Sequence, residues 1–397
     1  MEYQNARRRV FGAVVLLLLA AGWAANHFAS MLGLLREQEN LSGVLVNGAY
    51  GIYALGLLPC LLGGGALADR IGARRVVLTG GTVAALGNAG LLFWHGELGL
   101  LVGRFIVGLG VGLAMSAGTA WAGKLRPAGG VTLAGIFLTS GFASGPIASG
   151  LLAYLLPASA ALPVPFAVST LFSLATVVLA LAVGNLPAKP SRERSTRGTA
   201  GQPDAQPAAR SIGRALSASL PMALWVFSCA TATFVILAGR MAGRVSNGVL
   251  LPGAAAFLAF GAGLGVQMLG RRFGWGPGAG VAGAILAAVG MALAGTGGAA
   301  PPLWIFIVAC LVLGAAYGLC LQQGLLDIEH LAPRGSHGTV IGIFYVFTYL
   351  GFGLPVLLEA LLPTVGAALP LFVLAGLALL SALVRGLQLS RTDLLRR

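Results

Sequence analysis

Two polar side chains interrupt runs that are otherwise apolar, and they are where this chain could move a proton. His27 closes Trp23-Ala-Ala-Asn26-His27 in the first apolar run, and an imidazole titrates near neutral pH. Arg104 opens Arg104-x3-Gly108-x-Gly110-x-Gly112 in the fourth. An arginine inside hydrocarbon is costly unless it faces a polar interior or snorkels to the membrane edge. Arg104 lies about one and a half turns from the start of its run, so a coupling role and an interfacial anchor are both open. His27 likewise reads either as a proton or substrate residue, or as a structural histidine held by Asn26 or by the fourth or fifth run.

Carboxylates are missing from the middle of every apolar run. Glu2, Glu193, Asp204 and Asp393 fall in tails or a polar linker, Glu37, Glu39 and Glu97 in short connections. Asp327, Glu329 and Glu359 fall at run ends, and Asp327-Ile-Glu329-His330 is too near a loop and too isolated to form a site. Polar and aromatic residues on several runs are candidates to line a central cavity: Trp23, Asn26, Asn47, Tyr50, Tyr53, Trp225, Tyr317, Gln322 and Tyr345, with Gln323, Phe344 and Tyr349 beside them. So few charges suit an amphipathic, aromatic or cationic small molecule better than a multiply charged one. The four cysteines have no metal or redox spacing and read as small buried hydrophobes. Neither a metal nor another cofactor is expected.

The elements that must carry these residues follow from composition. The chain is 57% hydrophobic and 9% charged over 397 residues, with mean hydropathy +0.89. A soluble domain of this length would expose large apolar patches. Runs of about 20 apolar residues without period-two alternation are membrane helices and not barrel strands. Twelve are expected, near 10–35, 41–67, 76–94, 99–122, 131–156, 162–184, 214–237, 248–269, 277–296, 302–325, 338–360 and 366–388. A Pro-, Ser- and Arg-rich linker, 185–213, separates a first six-helix half (1–184) from a second (214–397).

The net charge of +14 is unevenly placed. All but four of the 25 Lys and Arg residues fall on the side of the N-terminus. The exceptions are Arg36, Arg240 and Arg244 on the other side and Arg104 within a run. That bias predicts cytoplasmic N- and C-termini in a cell (inner) membrane. No basic face is interleaved with base-reading groups, so nucleic acid is not an expected partner. A membrane enzyme lacks its nucleophile or metal-binding acids, and a retinal pump is excluded because Lys124 and Lys189, the two lysines, both lie in loops.

The densest charge cluster is Gly65-Ala-Leu-Ala-Asp69-Arg70-Ile-Gly72-Ala-Arg74-Arg75, between the second and third runs. Gly72 permits the tight turn and Asp69 suits a position near a helix N-terminus. A worn copy, Arg271-Arg272-Phe273-Gly274, recurs between the eighth and ninth runs. Gly112-Leu-Ala-Met-Ser-Ala-Gly118, Gly135-Ile-Phe137 and Gly145-Pro146 are echoed by Gly318-Leu-Cys-Leu-Gln-Gln-Gly324, Gly342-Ile-Phe344 and Pro355. The order predicts two parallel six-helix repeats with a path between them.

At Gly65-x3-Asp69-Arg70-x-Gly72-x-Arg74-Arg75 the chain resembles the major facilitator superfamily, whose loop 2–3 signature it matches at every defined position. The resemblance implies an all-α fold of twelve transmembrane helices in two pseudo-symmetric six-helix halves. It also implies that Asp69 and Arg70 latch the halves together in an outward-facing state. The Arg104 segment is similar to the family's span-4 motif, in which the arginine is linked to proton coupling. Gly141-x3-Gly145-Pro146-x-x-Ser149-Gly150 resembles the span-5 motif of antiporters and exporters, Gly-x3-Gly-Pro-x-x-Gly-Gly, with Ser149 departing from it. The nearest subgroup is the bacterial twelve-helix drug:proton antiporters, although their span-1 acid is replaced here by Asn26-His27. The implied function is secondary active transport by alternating access, as proton-coupled export of a small amphipathic or drug-like molecule by a monomer in the lipid bilayer. Uptake of a small metabolite by a symporter or facilitator is the alternative.

Overall fold

A computed structural model describes residues 2–127, 129–184, 210–333 and 336–391. Most of the expected linker, including Lys189, Arg192, Arg194 and Arg197, lies outside the described residues, as do Arg334, Arg396 and Arg397. Among the described residues, twelve helices are long and apolar enough to cross a membrane. Spans 1 to 6 are Tyr3–Gln38, Gly43–Ile71, Ala73–Phe93, Glu97–Leu125, Gly130–Leu155 and Ala158–Ala182. Spans 7 to 12 are Ile212–Ala242, Gly248–Phe273, Gly278–Thr296, Leu303–Leu331, Thr339–Val365 and Leu369–Ser390. The expected runs are all present, and most are longer than their apolar stretches because polar end turns continue the helix.

Within the first half, span 4 packs between spans 2 and 3, and span 1 packs on span 5. Within the second, span 10 packs against spans 7, 8 and 9, and span 9 against span 12. The halves meet where span 5 lies on span 8 and span 2 on span 11. The span-4 glycines explain one of these contacts. Gly108 and Gly112 share a face at spacing four and lie against the backbone carbonyls of Tyr53 and Leu57 in span 2, while Gly110 faces Gly80 and Ala84 in span 3. Gly314 and Gly318 of span 10 face the Ala259 and Gly263 carbonyls of span 8 in the same way, so the sequence repeat is also a packing repeat.

Proline sets a second kind of contact. A proline inside a helix has no N–H for the carbonyl four residues earlier. Pro146 frees the carbonyl of Phe142, and Asn26 of span 1 donates its side-chain amide to it at 2.8 Å. Pro355 stands four residues after Gly351, whose carbonyl accepts the Thr231 hydroxyl of span 7 at 3.0 Å. Pro221 of span 7 frees the Ser217 carbonyl, which accepts from Gln388 of span 12 at 3.0 Å. The first two staples are related by the repeat: the first helix of each half donates to a proline-freed carbonyl on the fifth. Both lie next to irregular turns, a 3₁₀ turn over His27–Met31, a π turn over Ala232–Leu237 and a 3₁₀ turn over Leu350–Gly353.

Gly72, with φ 95°, ends span 2, and Gly274, with φ 59°, ends span 8. The worn copy of the charge cluster therefore occupies the equivalent turn. These turns, the N-terminal arginines and the span 4–5 connection mark one end of the bundle, termed the basic end below.

Candidate proton and substrate site

His27 is fully buried where spans 1, 3 and 5 meet. Its Nε2 lies 2.9 Å from Oδ1 of Asn88 in span 3, and its Nδ1 lies 3.4 Å from the Ser149 hydroxyl in span 5. Asn88 donates its amide to the Ala84 carbonyl at 3.3 Å, which leaves Oδ1 as the acceptor and assigns the imidazole hydrogen to Nε2. Nδ1 then accepts from Ser149. A hydroxyl can also accept, so Ser149 can partner Nδ1 whether or not the ring takes a second proton. The expected tie to Asn26 is absent: Asn26 bonds the Phe142 carbonyl and accepts from the Tyr50 hydroxyl at 3.3 Å. The span-3 partner, Asn88, was not foreseen, because an asparagine in an apolar run gives no sign of the helix it faces.

Arg104 does not snorkel. It is 0% exposed, and its Nη2 donates to the Ala25 carbonyl at 3.1 Å. Its guanidinium lies over the rings of Phe28 at 4.5 Å and Tyr53 at 4.7 Å, with Tyr50 at 5.9 Å. Desolvated cation–π contacts of this kind are worth about 2 kcal/mol or more, which offsets part of the cost of burial. Nε and Nη1 have no hydrogen-bond partner, and among the described residues no carboxylate pairs with Arg104. The arginine is thus an uncompensated charge anchored two residues before His27.

Beside this cluster, and in contact with it through Tyr50 and Tyr53, aromatic rings close the centre between the halves. Tyr50 stacks on Phe352 of span 11 at 5.2 Å, and Tyr53 approaches the same ring at 5.6 Å. Phe142 of span 5 meets Phe260 of span 8 at 6.1 Å, and Tyr317 packs on Phe260 and Phe227. At the end opposite the basic end, a cavity of about 970 Å³ opens between the halves, with Asn47, Tyr154, Phe234, Arg240 and Glu359 in its wall. Of the expected cavity residues, Asn47 is on this wall. Tyr50, Tyr53 and Tyr317 are in the aromatic layer beneath it, and Tyr345 lies beside Phe344 and Tyr349. Trp23 turns toward span 6, edge-on to Phe172 at 5.4 Å, Trp225 is buried with its indole N–H unpaired, and Gln322 lies beside Gly270 of span 8. The sequence missed Phe234, Phe260 and Phe352, since phenylalanine is also what any buried membrane helix would carry.

The residues of the expected latch lie around the turn between spans 2 and 3. Asp69 pairs with Lys124 at 3.3 Å, both exposed and both in the first half, so this contact does not join the halves. Arg74 donates to the Ala180 and Leu181 carbonyls and caps the end of span 6, where a cation is favoured. Arg70 and Arg75 are exposed, and Gly65 makes no close approach. Among the described residues, the ion pair that joins the halves is Arg36 to Glu359, 3.3 Å apart at the opposite end. In span 5, Gly141 and Gly145 admit the span-1 backbone, and Gly150 admits the Val249 carbonyl at the start of span 8. Pro146 therefore sits on a helix that touches both halves.

Asp327 is not isolated. It is 2% exposed, 2.6 Å from Nη2 of Arg385 in span 12, and accepts from Gln323 at 2.9 Å. Arg385, near the end of span 12, is fully buried. Fifty-eight residues separate the pair, so neither alone signalled the other.

The family model described as Major Facilitator Superfamily matches residues 12–356. A POT family transporter solved in complex with a thioalcohol-conjugated peptide is similar at TM-score 0.78 and 14% identity, covering 96% of this chain and 96% of that chain. The xylose transporter XylE from E. coli, in an inward-open conformation, gives 0.70 at 16% identity over 95% and 94% of the two chains. A D-xylose-proton symporter gives 0.72 at 17%, over 95% and 96%. At these identities the likeness is one of fold.

Proposed function

The chain belongs to the major facilitator superfamily, a family of membrane transporters and not of enzymes, and on that premise we propose that it is a proton-coupled secondary transporter working by alternating access. The observation that carries this reading is the buried His27, held between Asn88 and Ser149 with the unpaired Arg104 anchored on the same turn of span 1. Protonating His27 places two like charges in one dry cluster that also contacts the inter-half aromatic layer through Tyr53. Their repulsion favours a rearrangement of span 1 and of the span 2–span 11 contact. The Asn26 and Thr231 staples tie spans 1 and 5, and spans 7 and 11, so each half moves as a unit.

The positive-inside bias puts the basic end in the cytoplasm of a cell (inner) membrane, and both termini with it. The 970 Å³ cavity then faces outward, and its size suits one small molecule. The substrate class we favour is small and amphipathic or drug-like, handled by a monomer. Export is supported by the Gly141, Gly145, Pro146 and Gly150 pattern. Uptake by symport is favoured by one feature, Ser149, which replaces the motif's glycine and bonds the histidine.

The test is transport in proteoliposomes with an imposed pH gradient, using a candidate compound first found by thermal stabilisation of the purified chain. An acid interior should drive accumulation of an exported compound in inside-out orientation, and the reverse gradient should drive a symported one. His27→Gln and Arg104→Gln should each lower gradient-driven transport by about tenfold or more while exchange without a gradient persists. If both variants keep full gradient-driven transport, the coupling assignment is wrong.

A further inference from the structure

At the basic end, the start of span 1 and the connection after span 4 enclose a second cavity, of about 510 Å³. Arg7, Arg8 and Arg126 line it together with Phe11 and Leu125, and among the described residues its lining includes no acid. Arg7 uses one nitrogen, Nη2, on the Lys124 carbonyl at 3.3 Å. The Arg126 guanidinium lies 5.9 Å from the Phe11 ring. Among the described residues none of the three forms an ion pair, whereas the neighbouring Lys124 ammonium is already answered by Asp69. Three like charges converging on one hollow repel each other, and the arrangement is favourable when an anion occupies it.

The position of the hollow says which anion. Phe11 follows Arg7 and Arg8 at helical spacing, one turn further into the apolar part of span 1. The rim is therefore cationic and the wall behind it apolar, at the level where polar headgroups give way to acyl chains. A free phosphate has no use for Phe11 and Leu125. A phosphodiester carrying hydrocarbon uses both. We propose that this cavity holds the phosphate of an anionic phospholipid, with its acyl chains running along Phe11 onto the outside of spans 1 and 5. Such a lipid fastens the first turn of span 1 to the span 4–5 connection. The site is independent of the transport reading, because it depends on neither His27 nor Arg104.

The test uses the purified full chain in a neutral detergent, with dioleoyl phosphatidylglycerol, dioleoyl phosphatidylcholine or inorganic phosphate added, read by native mass spectrometry and by thermal unfolding. Phosphatidylglycerol should be retained in preference to phosphatidylcholine and should raise the unfolding temperature, while inorganic phosphate should do neither. Each of Arg7→Gln, Arg8→Gln and Arg126→Gln should weaken retention on the order of fivefold, and the triple variant should lose the thermal shift. Arg271→Gln with Arg272→Gln removes charge at the same end but away from the cavity and should leave both readouts unchanged. Should the triple variant fold poorly, Arg126→Gln and Phe11→Ala, singly, still decide the matter by retained lipid. Equal retention of the two lipids, an inorganic phosphate effect as large as that of the lipid, or equal losses in the Arg271 and Arg272 control would overturn the proposal.

Discussion

Asn26 shows how a single polar residue can be structural and lie within the functional cluster at once. It supplies the donor that Pro146 removed from the Phe142 carbonyl, and it accepts from the hydroxyl of Tyr50, whose ring sits under Arg104. Asn26→Leu leaves a buried carbonyl without a donor, which costs about 1–3 kcal/mol and should lower the unfolding temperature in detergent. Thr231→Val removes the equivalent donor in the second half and should do the same. Asp327 and Arg385 make a sharper case. Removing one partner leaves a buried charge, so Asp327→Leu or Arg385→Met should each cost about 3–5 kcal/mol. The double variant should be clearly more stable than either single one, and a denaturation series on all three would check it. The proline and the asparagine are both visible in the sequence. That Asn26 serves the carbonyl Pro146 frees, 116 residues away at Phe142, is not, because that carbonyl finds its donor only when spans 1 and 5 pack.

At the scale of the helix, the spacing of small residues is the informative feature. Gly108-x-Gly110-x-Gly112 reads as a close-packing face, and the structure divides it between two neighbours, span 2 for the outer pair and span 3 for Gly110. Gly108→Val would place a branched side chain against the Tyr53 carbonyl and push span 2 away from Arg104. The expected cost is about 1–3 kcal/mol or more, with loss of transport alongside the stability. Arg104 lies one turn before Gly108 on the same helix, and its burial needs span 2 close enough for Tyr53 to cover the guanidinium. By contrast Gly12→Ala, at a position with open space, should be neutral in the same thermal assay. The irregular turns over Ala232–Leu237 and Leu350–Gly353 had no sequence signal beyond Pro355, and they lie next to the close approach of the Ser228 and Gly351 backbones.

For the molecule as a whole, the question is which contacts hold the halves in this arrangement. The aromatic layer closes the centre, and Arg36 with Glu359 spans the gap at the cavity end. Arg36 is 59% exposed, so the pair is worth no more than about 1 kcal/mol. Arg36→Glu should therefore shift the balance between arrangements only about fivefold or less, toward a wider cavity. Arg36→Glu combined with Glu359→Arg should restore it, as read by thiol labelling of Asn47→Cys. Asp69→Asn breaks a pair inside one half and should leave that labelling unchanged.

By itself the sequence determined that this chain spans a membrane twelve times, that its halves repeat and that its family is the major facilitator superfamily. Those properties are written in run length, charge bias and local spacing, which act along the chain. Tertiary structure decided, among the described residues, that Arg104 is buried with no carboxylate partner, that Asp327 has a partner, and that the inter-half ion pair is Arg36–Glu359 and not one made by Asp69. Each of those depends on which helix faces which, and in an apolar solvent nearly every face of a helix is hydrophobic, so the sequence carries little record of the choice.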